Sequence, residues 1–482
     1  MRKFLVLILI LLSLTLPWQQ RVAAQSGRAV VPGQPSDSIP ESEALSPKAM
    51  YEEANAYSKK KFDEFQQKKI PYSEALYRQT LREQKQLAAR YAATILARPA
   101  TLAGEDFYYL GMLHWLAQNF DGTSEALRKF FETKGAAGEN LQAARSVMTV
   151  IAARLKNFDE AEKFLGDYLK NEPVKARERF NMESELAESY RAAKDYARAA
   201  AHAEESYRAA KSLLLQDNAS RTRALAEALE AATALHEIHR ESGDRKNAEA
   251  TLADLQKTAA RVNSSAVYYH AVDQLIKFFI ETERKPAALE FYRASLNQAK
   301  KDFSDKTLQN DVLRRLTLRE KHYRMLGEPA PELAGIDQWF PAAAQTKTLA
   351  ALRGKIVLLD FWATWCGPCI AAFPKLTEWH ETFREDGFVI LGLTRYYAVP
   401  DGTKAEQKPE ADLIAGIRQK HRIPYDFVLA KDALNHHNYG ADGIPTAVLI
   451  DRKGVIRYID SGTSAGREEE LRRMIEKLLA EK

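Results

Sequence analysis

Cysteine occurs only twice in this sequence of 482 residues, at Cys366 and Cys369. A disulfide across so short a segment closes almost no chain, so it gains little stability from restricting the unfolded state. Because the pair follows an apolar run and opens a predicted helix, it is typical of a redox motif. The free N–H groups and the dipole of a helix N-terminus favour a thiolate at Cys366, and only a thiolate attacks a disulfide. We therefore predict that Cys366 is the nucleophile and that Cys369, one turn later, resolves the mixed disulfide.

Zinc binding is the main alternative for a cysteine pair. A structural zinc site needs about four ligands, and the remaining candidates are histidines scattered along the chain. His236 and His239 lie far upstream, and the neighbouring His436 and His437 cannot both face inward from one element. The sequence thus predicts no metal ion, and it indicates no cofactor beyond the redox-active disulfide itself.

Strand and helix patterns alternate around the cysteine pair, from residue 327 to residue 482. Glycine and proline are frequent between residues 327 and 341, where the preceding helical pattern ends. The predicted strands lie at 356–361, 388–393, 426–429, 446–450 and 455–461, and the predicted helices at 366–384, 412–421 and 468–480. A parallel half followed by an antiparallel half predicts an α/β sandwich.

Residues 49–325 are rich in Ala, Leu, Glu, Lys and Arg, with apolar residues at helical spacing. A short segment around Phe120 recurs around Phe158 and Tyr196, so these aromatic residues are 38 positions apart each time. Looser echoes follow near residues 243–245 and 282–285. A period of this length with a polar turn predicts stacked helical hairpins, which could present a surface to a partner. The stretch loosely resembles the tetratricopeptide-repeat superfamily; a non-repetitive helical bundle is the alternative.

The first residues predict export. Basic Arg2 and Lys3 precede an apolar run at 4–16, and small residues at 22–24 offer a cleavage site, which together predict a signal peptide at 1–24. The apolar run is shorter than the ~20 residues that span a bilayer, and no other long one occurs, so we expect a mature form that does not span a membrane. The composition of 25–48 predicts a flexible linker. A net charge of +5 is too small to favour nucleic acid.

The segment Ile-Val-Leu-Leu-Asp-Phe-Trp-Ala-Thr-Trp-Cys-Gly-Pro-Cys at 356–369 resembles the thioredoxin active-site segment almost position by position. Residues 328–331 and 349–355 are similar to the lead-in of the TlpA/ResA branch of exported thioredoxin-like proteins, and residues 443–446 resemble the family's cis-proline loop. The resemblance covers 327–482 and implies a thioredoxin-like α/β/α sandwich there. The expected fold class is therefore α + α/β, with a helical repeat array at 49–325 followed by this sandwich.

Further site residues are implied by the resemblance. Asp360 would be a buried carboxylate that assists proton transfer at Cys369; a polar strand end satisfied by hydrogen bonds is the alternative. Pro445 would be the cis-proline beside the disulfide, with an ordinary trans turn as the alternative. The substrate would bind against Trp365, Gly367, Pro368 and Ile444. A simple core role is the alternative for the tryptophan.

These features predict an exported thiol–disulfide oxidoreductase, located in a bacterial periplasm. Its expected partners are client proteins that carry disulfides or thiols, with the helical array as a platform, and a membrane electron-transfer partner if the protein acts as a reductant. The ResA-like branch often carries Glu three residues after the second cysteine, whereas this chain has Ala372. That difference weakens any transfer of the branch's task in cytochrome c maturation.

Two other functions compete with this prediction. A thiol peroxidase of the same fold would have Pro and Thr where Leu359 and Ala363 stand, so the groups that activate its nucleophile are missing. A non-enzymatic scaffold would bind partners through the helical array, with the redox domain as an accessory. The intact Cys-x-x-Cys pair argues against a purely structural domain.

Overall fold

The computed structural model of the protein describes residues 45–98, 102–134, 137–215, 221–341, 348–397 and 407–481. The predicted signal peptide at 1–24, and residues 25–44 of the predicted linker, lie outside these ranges. Up to residue 325 the described chain forms helices joined by turns. These helices are α1 (Pro47–Gln67), α2 (Glu74–Leu96), α3 (Asp106–Leu116), α4 (Phe120–Phe131), α5 (Gly138–Arg154), α6 (Phe158–Leu169), α7 (Ala176–Ala192), α8 (Tyr196–Leu215), α9 (Arg221–Glu241), α10 (Arg245–Arg261), α11 (Ser265–Glu281), α12 (Lys285–Asp302) and α13 (Lys306–Met325).

The repeated aromatic residues mark one fixed point in successive helix pairs. They are the first residues of α4, α6 and α8. Two positions before each of them, Gln118, Lys156 and Lys194 adopt positive φ angles of 57°, 59° and 62°. A left-handed residue at this point ends one helix and lets the chain reverse into the next. The weaker echoes in the sequence correspond to the starts of α10 and α12. The 38-residue spacing therefore records the turn of a helical hairpin.

One histidine of the helical region lies between two carboxylates. His202 Nδ1 is 2.7 Å from Glu183 Oε2, and its Nε2 is 2.9 Å from Glu162 Oε1. The His202 ring also stacks on Tyr190, with 5.5 Å between centroids. Burial alone would lower the pKa of His202, but the hydrogen bond and charge of Glu183, together with Glu162, raise it overall.

Strands appear only after α13 in the described residues, and they form one mixed sheet. The strands are β1 (Ile336–Phe340), β2 (Ile356–Phe361), β3 (Phe388–Arg395), β4 (Asp426–Ala430), β5 (Thr446–Ile450) and β6 (Ile456–Ser461), and the helices between and after them are α14 (Gly367–Phe383), α15 (Gln407–Lys420), α16 (Leu434–Tyr439) and α17 (Ala465–Ala480). The strand order is β1-β4-β3-β2-β5-β6. The pairs β2–β3 and β3–β4 are parallel, and the other pairs are antiparallel. The predicted α + α/β fold class is confirmed.

Strand β2 is buried along its whole length because the sheet is covered on both faces. Its alternating side chains point into two apolar layers. Ile356, Leu358 and Trp362 belong to the layer that also holds both cysteines and α14. Val357 and Leu359 belong to the opposite layer, which contains Leu326 and Tyr439 of α16. A strand buried on both faces shows a continuous apolar run rather than alternation, as the sequence of β2 does.

Two elements of this part were not predicted. Strand β1 contains one buried residue, Trp339, and its pairing with β4 is interrupted by a bulge. Helix α16 has six residues, which is too short for helical periodicity to be recognised. Both elements depend on packing against the sheet more than on a local signal.

The described chain divides into two compact units, residues 1–251 and 252–482. The change from helices to mixed elements falls near residue 326, so α11, α12 and α13 belong to the second unit together with the sheet. The predicted domain division at 325 and 327 thus follows secondary structure and remains a prediction. No helix within the described ranges combines the length and apolar character needed to cross a bilayer.

The free edge of β6 is covered within the second unit. Residues 327–330 form backbone hydrogen bonds with its first half, including Gly327 N–H to Ile456 O at 2.8 Å. Farther along, Arg319 of α13 donates to Ile459 O at 3.1 Å. Covering an edge strand removes a row of unpaired backbone groups that could pair with another chain.

A cluster of four charged residues lies where α11 and α13 meet β6: the buried Asp273, Arg319 and Asp460 and the half-buried Lys277, called here the ionic cluster. Arg319 Nε is 3.3 Å from Asp273 Oδ1, and its Nη1 is 3.2 Å from Asp460 Oδ1. Lys277 Nζ is 3.2 Å from Asp273 Oδ2 and 3.5 Å from Asp460 Oδ2. Two cations and two anions balance, which is the condition under which charges are tolerated away from water.

Candidate active site

The two cysteines form a disulfide at the N-terminus of α14. Cys366 is the N-cap residue, and the Cys369 N–H donates to Cys366 Sγ at 3.2 Å. Pro368 occupies the first turn of the helix, where the missing N–H costs nothing because that group would have no helical partner. The Cys366 sulfur therefore lies at the point where a helix best stabilises an anion.

The disulfide is buried, but the residues around it are exposed. Cys366 and Cys369 are 4% and 1% exposed, whereas Gly367 and Pro368 between them are exposed. Trp365 is 65% exposed, which excludes the core role considered for it. Trp365 and the Gly367–Pro368 turn are therefore the solvent-exposed groups that adjoin the buried sulfur atoms.

Asp360 lies near the end of β2, in the layer that contains the disulfide. It alternates with Leu358 and Trp362, which both belong to that layer. Asp360 is 5% exposed, and its Oδ2 has no hydrogen-bonding partner among the described residues. The structure thus differs from the alternative in which hydrogen bonds satisfy this side chain. Burial raises the pKa of Asp360 to about 7, so it can take up or release a proton near neutral pH.

The third part of the site is the segment Gly440–Thr446, called here the α16–β5 loop. Thr446 pairs with Phe361 at the end of β2, from which the chain continues to Cys366. Ile444 packs against the apolar layer that holds both cysteines. Pro445 is buried, and the Ile444–Pro445 peptide bond is cis. The sheet therefore brings this loop beside the disulfide although the two are far apart in sequence.

Residues 326–459 match the AhpC/TSA family. Thiol-disulfide oxidoreductase ResA from Geobacillus thermodenitrificans is 26% identical over 159 residues, which cover 33% of this chain and 81% of that protein. The C-terminal part of this chain is a thioredoxin-like domain. Protein DipZ from Mycobacterium tuberculosis is 32% identical over 135 residues, but the match covers 28% of this chain and only 18% of DipZ.

A structure described as a putative thiol:disulfide interchange protein DsbE from Chlorobium tepidum is 26% identical, with a TM-score of 0.26, and the match covers 32% of this chain and 98% of that one.

Sequence reasoning missed an aromatic group beside Trp365 of the thioredoxin-like domain. The Trp365 and Tyr397 rings meet edge to face, with 5.3 Å between centroids. The Arg395 guanidinium lies 4.0 Å from the Tyr397 ring centroid, and the Tyr397 hydroxyl is 3.2 Å from His436 Nε2. Tyr397 follows β3, the parallel neighbour of β2. Since ligands of α/β sheets bind outside the carboxyl ends of parallel strands, that position was the available signal.

Two further polar residues near the site, Glu410 and Tyr425, were not predicted from the sequence. The Thr364 hydroxyl donates to Glu410 Oε1 at 2.9 Å, so a carboxylate lies near Trp365 although Ala372 supplies none. The Tyr425 hydroxyl is buried without a hydrogen-bonding partner among the described residues, and burial together with the Asp360 charge raises its pKa. Neither residue has a sequence signal, because each belongs to an element that only the folded sheet brings close.

Within the described ranges, no group of three or more His, Cys, Asp or Glu side chains has an arrangement that could hold a metal ion. His436 is buried and contacts Phe361 edge to face, with 5.0 Å between centroids. Burial and the charge of Arg395 lower the pKa of His436 to about 4, consistent with a neutral packing residue.

Proposed function

We propose that this protein is an exported thiol–disulfide oxidoreductase that exchanges disulfides with client proteins through Cys366 and Cys369. The observation that carries the proposal is the disulfide at the N-terminus of α14, surrounded by exposed residues and sharing its layer with an unpaired buried carboxylate. The names of relatives such as ResA support the same reaction class.

In the reducing direction, the reaction starts from the dithiol form. The Cys366 thiolate attacks one sulfur of a client disulfide, which forms a mixed disulfide and releases the first client thiolate. The Cys369 thiolate then attacks Cys366 Sγ, which restores the Cys366–Cys369 disulfide and releases the second client thiolate. Two electrons pass from the protein to the client, and the reverse sequence would oxidise a client dithiol.

Asp360 is proposed to accept the proton of Cys369 in the second step. A thiol is a poor nucleophile until it loses its proton, and the ordinary pKa of cysteine is about 8.5. A carboxylate with a pKa of about 7 in the same layer is matched to that transfer near neutral pH. The proposed substrate surface consists of Trp365, Gly367, Pro368 and Ile444, with the backbone of the α16–β5 loop alongside.

Cysteine variants test this proposal directly. Cys366→Ser should abolish reduction of insulin disulfides in the presence of a dithiol, because the attacking sulfur is lost. Cys369→Ser should retain the attack and accumulate mixed disulfides with clients, visible as dithiol-sensitive bands on non-reducing gels. Activity of Cys366→Ser equal to that of the parent protein would refute the assignment, and the two variants serve as matched controls because each replaces one sulfur by oxygen.

The peroxidase alternative is not favoured by any observation at the site. Leu359 and Ala363, which stand where a peroxidase would have Pro and Thr, are fully buried apolar residues. Neither side chain can donate a hydrogen bond to a peroxide oxygen. The non-enzymatic scaffold is disfavoured by the Cys366–Cys369 pair at the N-terminus of α14, and it predicts partner binding that is unchanged in Cys366→Ser.

Export and the source of electrons are also part of the proposal. The pattern of residues 1–24 supports export, and an extracytoplasmic site such as a bacterial periplasm fits the ResA and DsbE relatives. A reductant in that location would need a membrane electron-transfer partner to regenerate its dithiol. The reduction potential of the Cys366–Cys369 pair decides this point, since a strongly negative value favours a reductant and a less negative one an oxidant or isomerase.

The helical region is proposed to act as a platform for clients. Repeated helical hairpins supply extended surfaces for protein partners. Hydrogen exchange on the Cys369→Ser protein with a trapped client gives a test on the full chain. Protection of amides in residues 45–251 would support the platform, and protection confined to residues 327–482 would contradict it.

A further inference from the structure

The α16–β5 loop is held from outside the thioredoxin-like domain, by α13 of the helical region. His322 Nε2 is 2.8 Å from Gly440 O, where the loop begins. Its Nδ1 is 2.7 Å from Arg319 Nη1. Because an arginine can only donate, Nδ1 must accept, and the ring proton must be on Nε2. His322 is therefore a neutral donor to Gly440 O, in agreement with burial and the Arg319 charge lowering its pKa to about 4.

The approach of His322 to the loop is close. Gly440 ends α16 with a φ of +63°, in the left-handed region that favours glycine. A Cβ atom at this position would lie 3.1 Å from two atoms of the His322 ring and 3.2 Å from Lys321 Cδ. The missing side chain of Gly440 thus leaves the space in which the histidine reaches the backbone of the loop.

The other end of the loop is fixed through β6. The Thr446 hydroxyl donates to Gly443 O at 2.6 Å, so the Ser461 hydroxyl, 2.7 Å away, must donate to Thr446 Oγ1. The Ser461 N–H donates to Asp460 Oδ1 at 2.8 Å, and the Gly462 N–H donates to Pro445 O at 2.7 Å. Asp460 belongs to the ionic cluster and contacts Arg319 there.

Both supports of the loop therefore meet at Arg319. All three guanidinium nitrogens of Arg319 donate hydrogen bonds. Nε donates to Asp273, Nη1 to His322 and Asp460, and Nη2 to Ile459 O. The Tyr323 hydroxyl donates to Asp273 Oδ1 at 2.7 Å and fixes the far side of the cluster. A planar fork with this many partners has little freedom to rotate.

We propose that Arg319 and His322 are positioning residues for thiol–disulfide exchange. They hold the backbone of the α16–β5 loop in the position beside the disulfide from which it pairs with an extended client segment. The inference rests on the proposed function. It makes α13, which by composition belongs to the helical repeats, a working part of the redox site. A client that needs the loop should depend on α13, whereas a small disulfide that needs only the sulfur atoms should not.

The test uses the full chain with three substitutions. His322→Leu removes the hydrogen bond to Gly440 O, and His322→Gln keeps a side-chain N–H in a similar place. Glu281→Gln is the control, because it breaks an ion pair between α11 and Lys477 of α17 that does not involve the loop. Each protein is assayed with an extended peptide disulfide and with a small aromatic disulfide, and hydrogen exchange is followed over residues 440–446.

His322→Leu should raise KM for the peptide disulfide about fivefold, the equivalent of one neutral hydrogen bond, with kcat and the small-disulfide rate unchanged. Exchange over residues 440–446 should become faster by a similar factor. His322→Gln should have a peptide KM and a loop exchange rate close to those of the parent protein. Glu281→Gln should leave both quantities unchanged.

Unchanged loop exchange and peptide KM in His322→Leu would overturn the proposal. Equal losses with both substrates would also overturn it, because they would indicate general destabilisation. A parent protein that reduces neither disulfide would refute the proposed function and the positioning role with it. A parent protein that reduces both disulfides, beside an unchanged His322→Leu variant, would refute the positioning role alone.

Discussion

The ionic cluster and the layer beneath the disulfide both bury carboxylates, but they shift the pKa in opposite directions. Burial would raise the pKa of Asp273 and Asp460, yet Lys277 and Arg319 lower both below the ordinary range. Asp360 has no cation beside it, and burial raises its pKa to about 7. The difference shows that burial sets the cost of a charge, and that the partner decides whether the charge is kept.

These two regions therefore serve different purposes within one unit. The ionic cluster holds permanent charges that connect α11 and α13 to β6. The layer beneath the disulfide holds a carboxylate that can change its charge near neutral pH. A balanced cluster is suited to fixing geometry, and an unbalanced carboxylate is suited to moving protons.

The largest expected effect comes from unbalancing the ionic cluster. Arg319→Met should lower the free energy of unfolding of the second unit by about 3 to 5 kcal/mol, because it leaves Asp273 and Asp460 with too few cations. Urea unfolding followed by tryptophan fluorescence measures this, since Trp339, Trp362, Trp365 and Trp379 all lie in that unit. Arg314→Met is the control, because its side chain on the same helix is 63% exposed. Equal stability of the two variants would contradict the cluster's role.

A smaller, pH-dependent effect is expected at Asp360. Its pKa is about 7 in the folded protein and about 3.9 in an unfolded chain, so the folded state holds an extra proton between these values. The stability of the oxidised protein should therefore fall by about 3 to 4 kcal/mol as pH rises from about 4 to above 7. Asp360→Asn cannot ionise and should lose this slope.

The pH series is read by the same urea unfolding, with Asp412→Asn as the control for an exposed carboxylate on α15. The control should keep the slope of the parent protein. If Asp360→Asn and the parent protein show the same pH dependence, Asp360 does not carry the raised pKa, and the contrast with the ionic cluster disappears.

The smallest effect is expected at His202, because its partner Glu162 is 41% exposed, whereas both carboxylates of the ionic cluster are buried. Because its pKa is raised in the folded state, the stabilisation is complete below the unfolded value near 6.5 and is lost as pH rises through the folded pKa. His202→Gln should remove this dependence, with a change below about 1 kcal/mol.

A local readout suits this prediction, because a chain with two compact units need not unfold in one step. Proteolysis in increasing urea, with cleavage sites in α7 and α8 mapped by mass spectrometry at pH 5.5 and pH 8, gives such a readout. An effect of His202→Gln as large as that of Arg319→Met would mean that the exposure of the partner carboxylates does not separate the two regions.

Much of the thioredoxin-like domain could be predicted because its signals are local. The apolar run of β2, the helix after Cys366 and the spacing of the cysteines each follow from neighbouring residues. The repeat of Phe120, Phe158 and Tyr196 likewise recorded the hairpin turns. Strand β1 and α16 were missed, since their stability comes from the sheet they pack against. Tyr397 was missed although it follows β3 at the carboxyl end of a parallel strand, and Glu410 was missed because nothing near it in sequence indicates the site.

The sequence by itself predicted a redox role for the cysteine pair and the two types of secondary structure, since each depends on residue type and short-range spacing, and its resemblance to the thioredoxin segment implied Asp360 as the candidate proton acceptor. Only the tertiary structure decided that Asp360 lacks a partner, that Trp365 is exposed, and that α13 reaches the α16–β5 loop. Those properties are set by which distant side chains share a layer. A charge or hydrogen bond acts over a few ångströms of space. Arg319 and Asp460 are far apart in the sequence, so their contact cannot be recognised from it.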